Sequence, residues 1–152
     1  MYGDKMEIPE GEYIIPIGVA EIKREGTDVT IVSFGKIIKE AYKAAEELAK
    51  ENISVEIIDL RTVRPMDHAA IVKSVKKTNR LVVLEESWPF GSVATEITYR
   101  IQEEAFDYLD APVKRITTAD TPAPYSPVLL EKWIPNYKDV IKAVKDVLYL
   151  KK

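Results

Sequence analysis

The sequence predicts an α/β domain in which a parallel sheet is covered by helices on both faces. Three observations carry this. Short runs rich in valine, isoleucine and leucine recur at Val29 to Phe34, Val55 to Leu60 and Leu81 to Leu84. The segments between them show apolar residues at helical spacing. Strand and helix patterns alternate along the chain, which is the signature of parallel strands joined by crossover helices.

The elements follow in order. Residues 1–16 are polar and carry Gly3, Pro9, Gly11 and Pro16, so they read as a linker or extended arm. Val19 to Lys23 reads as a short strand, and Gly26-Thr27-Asp28 as a turn. Val29 to Phe34 is a β-branched run suited to a strand buried on both faces, and Gly35 ends it. Lys36 to Glu51 is a helix with Ile37, Ile38, Ala41, Ala45, Leu48 and Ala49 along one face. Val55 to Leu60 is the next strand. Asp67 is placed to cap a helix reaching about Lys77, with Ile71, Val72 and Val75 inward. Leu81 to Leu84 is a strand that ends in Glu85-Glu86. Ser92 is placed to cap a helix whose buried face is Val93, Ile97, Ile101 and Ala105. Pro112 to Thr117 is a further strand. Thr121 to Pro127 carries three prolines and reads as an irregular loop. Asn136 caps a last helix with Val140, Ile141, Val144, Val147 and Leu148 as its apolar stripe.

Composition narrows the function. The 152 residues suit one domain, residues 17–152, behind the arm. Hydrophobic residues at 46% and charged residues at 31% are those of a globular protein. A net charge of -3 argues against general nucleic-acid binding. The absence of cysteine removes disulfides and thiol chemistry. No apolar run approaches the ~20 residues that span a bilayer.

Polar groups gather where the predicted strands end. Lys36 follows the first long strand, Asp59, Arg61 and Arg64 the second, Glu85 and Glu86 the third, and Asp120 the last. The carboxyl edge of an open α/β sheet is where ligands and partners sit. This crest reads either as an active-site crevice or as an ion-pair network that docks a neighbouring domain. No nucleophile–base pair or metal cluster accompanies the charges, which favours docking. Gly35-Lys36 lacks the further glycines of a phosphate loop. His68, the single histidine, reads as a surface helix residue. Glu85 and Glu86 are adjacent on a strand and point to opposite faces, so they cannot act as one carboxylate pair. Trp88 and Phe90 form an apolar knuckle that either marks an interface or closes the core. Tyr125, Trp133 and Tyr137 surround the proline-rich loop and read as packing rather than a base-stacking platform.

The segments LRTVRPMD, SVKKTNRLVVLEESWPFGSVATEI, LDAPVKRITTADTPAPYSP and WIPNYKDVIKAV together resemble one family, in the right order and spacing. They are similar to the C-terminal domain of pyruvate dehydrogenase beta subunits, the thiamine-diphosphate-dependent first component of 2-oxoacid dehydrogenase complexes. The same domain type closes transketolases. The resemblance implies a three-layer α/β/α sandwich. Its mixed five-stranded sheet has the first strand antiparallel and runs in the order 1-3-2-4-5. It further implies that thiamine diphosphate and magnesium belong to the parent enzyme, between the alpha subunit and an N-terminal pyrimidine-binding domain of the beta subunit. No residue here matches the groups that hold them. The expectation is therefore a non-catalytic assembly domain, a fragment beginning in the linker, with no catalytic, cofactor-binding or metal residue of its own. The implied partners are the alpha subunit, a second beta subunit, the pyrimidine-binding domain and the basic peripheral-subunit-binding domain of the acyltransferase core. Candidate interface residues are Arg61, Arg64, Glu85, Trp88, Phe90, Asp120, Asp139 and Asp146. Glu131 could add negative charge beside Asp139 and Asp146, whereas Lys142, Lys145, Lys151 and Lys152 offset it. The implied compartment is the bacterial cytoplasm, with the mitochondrial matrix as the alternative. Rival readings are a branched-chain 2-oxoacid or transketolase relative, and a free-standing α/β ligand-binding domain or enzyme.

Overall fold

Val29–Ser33 forms β2 and Leu81–Leu84 forms β4, and every residue of both is buried. Strands this apolar need cover on two faces. The computed structural model describes residues 10–150 and provides that cover. Glu21–Arg24 is β1, Val55–Asp59 is β3 and Lys114–Ile116 is β5. The sheet order is β1-β3-β2-β4-β5. The β1–β3 pair is antiparallel and the others are parallel. This is the order and orientation that the family resemblance implied. The edge strands β1 and β5 are the ones with exposed residues, as their position requires.

Side chains alternate across the pleat and separate two cores. Ile31, Ile57, Val82 and Leu84 face α1 (Ile38–Ala49) and α5 (Tyr137–Val147). Val32, Ile58, Leu60 and Val83 face α2 (His68–Thr78) and α3 (Val93–Ala105). The result is helix, sheet and helix in three layers. A turn of 3-10 helix at Gly35–Ile37 leads into α1. Of the stripe expected here, Ile37, Ile38, Ala41, Ala45 and Leu48 are buried; Ala49 is exposed, and Ala44 is buried in addition.

Four further differences have local causes. The strand expected from Val19 falls at Glu21–Arg24, because pairing with β3 begins opposite Asp59. The strand expected from Pro112 shrinks to Lys114–Ile116. The proline-rich segment ends in a helix, α4 (Pro127–Trp133), with Pro127 in its first turn. Proline is tolerated there because its missing N–H would have had no helical partner. Ser92 precedes α3 but its side chain makes no cap bond, and Glu85 takes that role. The arm expected over residues 1–16 lies outside the described residues as far as Pro9, and residues 10–16 hold no helix or strand.

One turn is fixed by close approach. A Cβ on Gly26 would lie 2.2 Å from the backbone of Val55 and Glu56. Only glycine lets the β1–β2 connection pass against β3.

Candidate functional site

The loop after β3 is held by the chain that precedes β1. Gly18 N donates to Thr62 Oγ1 at 2.9 Å, and Ala20 N donates to Asp67 Oδ2 at 3.0 Å. Asp67 Oδ1 also accepts from Ala70 N at 3.1 Å, so one carboxylate caps α2 and anchors the strap. Gly18 sits at φ +78 with Pro65 packed where a side chain would begin. These ties give the two arginines of the loop different fates. Arg61, in a left-handed backbone conformation, turns back and pairs with Glu21. The Lys23 ammonium, with Arg61 as a further partner, holds the Glu21 carboxyl below the usual carboxylate range. Arg64 is exposed and carries no ion pair or hydrogen bond among the described residues.

Glu85 does not stand on the surface as an interface charge. It is fully buried, its Oε2 accepts from Ala94 N at 3.2 Å, and its Oε1 has no partner. A carboxylate at the start of α3 answers the partial positive charge of the helix end. Glu86, the next residue, is exposed. The pair was expected on a strand, but β4 ends at Leu84 and both residues stand in the loop after it.

Trp88 and Phe90 resolve the choice left open by sequence. The knuckle does not close the core: Trp88 is 52% exposed and Phe90 91%. It is nevertheless well placed. The Trp88 and Trp133 indoles both donate to Thr121 O, at 3.0 and 2.9 Å. Thr118 donates to Ser87 O through both N and Oγ1 at 3.0 Å. Arg115 Nη1 donates to Pro89 O at 2.9 Å. Phe90 is thus an exposed aromatic next to a hydrogen-bonded stretch of loop. Tyr125, Val128 and Leu129, on the neighbouring loop and α4, are also exposed. Asp120 is exposed beside them in sequence.

The acids of α5 are engaged within the chain. Asp139 completes a capping box with Asn136, accepting from its N–H at 2.9 Å. Asp146 lies 3.7 Å from Lys114. His68 is 3.8 Å from Glu104 on the surface of α2. Among the described residues, no group of three histidine, cysteine, aspartate or glutamate side chains could hold a metal ion. At the crest, Glu85 faces inward and Arg61 is paired with Glu21.

Sequence reasoning missed a second polar cluster, at the amino end of the sheet. Glu56 is fully buried on β3. It accepts from Ser74 Oγ, Lys77 Nζ and, at 3.3 Å, Gly26 N. Thr30 Oγ1 joins Ser74 and Thr78 hydroxyls at 2.6 and 2.7 Å. Hydrogen bonding by Glu56 is the main reason the Lys77 ammonium is held above the usual lysine range. The signal was present: a glutamate inside an apolar run, and hydroxyls on the inward face of α2.

Comparison with known proteins sets this architecture in a family. Residues 18–140 match the family described as transketolase, C-terminal domain. The chain is 50% identical to the pyruvate dehydrogenase E1 component subunit beta of Rhizobium meliloti, across 98% of this chain and 33% of that protein. It is 47% identical to the mitochondrial subunit beta-1 of Arabidopsis thaliana, across 100% of this chain and 43% of that protein. It is 43% identical to the acetoin:2,6-dichlorophenolindophenol oxidoreductase subunit beta of Bacillus subtilis, across 97% of this chain and 43% of that protein. The chain thus spans less than half the length of these relatives. Among solved structures, a split-gene transketolase, an inactive beta4 tetramer, superposes with a TM-score of 0.80 at 28% identity, covering 97% of this chain and 47% of that one. Sheet order, layer arrangement and the matched span agree, and the chain belongs to the transketolase C-terminal domain family.

Proposed function

We propose that this chain is the C-terminal assembly domain of a pyruvate dehydrogenase beta subunit. The parent enzyme would decarboxylate pyruvate on thiamine diphosphate and pass the acetyl group to a lipoyl carrier. The observation that carries the reading is the 50% identity to such a subunit across nearly the whole chain. The crest supports the assembly role. Arg61 and Glu85 are engaged inside the domain, while the crest's outward groups are Lys36, Arg64, Glu86 and Asp120 together with the aromatics Trp88 and Phe90 on a braced loop. Large exposed aromatics on a fixed scaffold are typical interface anchors.

The partners would be an alpha subunit, a second beta subunit and a pyrimidine-binding domain. Docking of a basic peripheral-subunit-binding domain is the less supported contact, because Asp139 and Asp146 already serve this chain. Arg64 and Asp120 remain available to a partner. Among the described residues no helix is long and apolar enough to cross a membrane. The relatives come from bacteria and from mitochondria, and the bacterial cytoplasm is the compartment we favour.

Isothermal titration of the chain with thiamine diphosphate and magnesium tests the reading. No heat of binding is expected. Saturable binding by this chain would show that it carries a cofactor site and would overturn the non-catalytic assignment. A specific observation keeps a second reading open: the 43% identity to an acetoin-oxidising beta subunit. Activity of the assembled parent on pyruvate and on acetoin would separate the two.

A further inference from the structure

β2 and β4 are neighbours in the sheet, but the chain leaves them in opposite directions. β2 feeds α1 on one face, and β4 feeds α3 on the other. Where adjacent parallel strands diverge in this way, a crevice opens outside their carboxyl ends, and open α/β sheets bind ligands there. A cavity of about 500 Å3 lies at this place, lined by Lys36 after β2, Glu86 after β4, and the junction of α4 and α5. Its size is that of a small-molecule site.

The lining carries charge of both signs. Four lysines and three glutamates border the cavity, whereas the chain as a whole carries -3. One pair is already closed, because Glu40 accepts from Lys43 Nζ at 2.6 Å and from Tyr137 N at 2.9 Å, and Lys39 is engaged as well. The Lys36 ammonium has no ion pair or hydrogen bond among the described residues, and the Lys138 ammonium meets only the Tyr137 ring, 6.0 Å away. Among the described residues, the Glu86 and Glu131 carboxylates are likewise unpaired acceptors. Ile37, Ile134 and Pro135 supply apolar wall between them.

We propose that this crevice binds a small organic anion that also carries a hydrogen-bond donor, a hydroxy acid or an amino acid. The anionic head would sit on Lys36 and Lys138, and the hydroxyl or ammonium on Glu86 or Glu131. Charge-assisted hydrogen bonds are the strong ones, and the lining offers both signs for them. The site lies beside the aromatic knuckle and does not depend on the assembly reading.

The test is an NMR titration of the full chain with L-malate, L-glutamate and succinate. Saturable amide shifts at Lys36, Ile37, Glu86 and Tyr137 are expected with malate or glutamate. Which of the two binds tells the hydroxy acid from the amino acid. Succinate, which lacks the donor, should bind about tenfold more weakly, the loss of one good polar contact. The double variant Lys36→Ala/Lys138→Ala should keep its fold, as its spectrum would show, and lose the response about tenfold or more. No saturable shift with malate or glutamate overturns the proposal, as does a response that the double variant retains in full. Equal affinity for succinate overturns the donor requirement.

Discussion

At the amino end of the sheet, polar groups are inside and matched. At the carboxyl end, aromatic groups are outside and unmatched. Glu56 is fully buried, yet it accepts three hydrogen bonds, from Ser74, Lys77 and Gly26. Phe90 is 91% exposed on a loop whose backbone is braced from both sides. Each end breaks the rule of apolar inside and polar outside. The difference lies in what completes it. The amino end is completed within the chain, so its cost and benefit are those of folding. Among the described residues nothing covers the aromatics of the carboxyl end, so their benefit comes on association.

The strongest way to break this contrast is Glu56→Ala. The change leaves the Gly26 amide without its acceptor. It takes one partner each from Ser74, which keeps Thr30, and from Lys77, which is 41% exposed and keeps Glu25. A buried polar group that loses its partner typically costs ~1–3 kcal/mol. Urea denaturation would measure it. A loss below ~1 kcal/mol would mean that the cluster is no more than a surface ion pair. Asp67→Ala comes next, with ~1–2 kcal/mol expected, because it removes a helix cap and frees the strap at Ala20 together. Phe90→Ser sharpens the other side. Its stability should stay within ~0.5 kcal/mol of the parent chain, as for ordinary surface changes. Its recruitment into a complex with the alpha subunit, followed by gel filtration or ultracentrifugation, should fall at least tenfold. A chain that unfolds on this change, or that assembles unaltered, removes the basis for reading the knuckle as an interface.

The two ends were also unequally legible in the sequence. The strands Val29–Ser33 and Leu81–Leu84 and the stripes of α2, α3 and α5 follow from local periodicity, which burial then confirms. Sheet order did not come from periodicity. It came from resemblance to a family, because order is set by which strands meet across tens of residues. The same distance hid the Glu56 cluster, whose partners lie 18, 21 and 30 residues away. Ser92 was a reasonable cap by local rule, and Glu85 displaced it through a contact that only the fold creates. α4 was missed because three prolines read as a loop, although proline at a helix start is compatible with both. At the crest, residue type alone grouped Arg61 with Arg64. Geometry divides them, through the turn of the backbone at Arg61 and the presence of Glu21 on β1.

That division gives the smallest expected effect. Arg64→Ala should leave stability within ~0.5 kcal/mol, since the side chain has no partner among the described residues to lose. Arg61→Ala acts through Glu21, and pH distinguishes the two. The Glu21 carboxyl has a folded value below its ordinary 4.5, chiefly from the Lys23 hydrogen bond, with Arg61 adding to it. A carboxylate depressed on folding contributes stability that is present above about 4.5 and is lost as pH falls toward the folded value. Unfolding free energies from pH 6 down to pH 3 should therefore decline less steeply in Glu21→Gln than in the parent chain. Arg61→Ala should fall between them, because Lys23 still holds the carboxylate. Arg64→Ala should follow the parent curve. If the Arg61 and Arg64 variants instead share one curve, the loop presents both arginines to solvent, and the inward turn of Arg61 is not what separates the folding side of this crest from the side left for a partner.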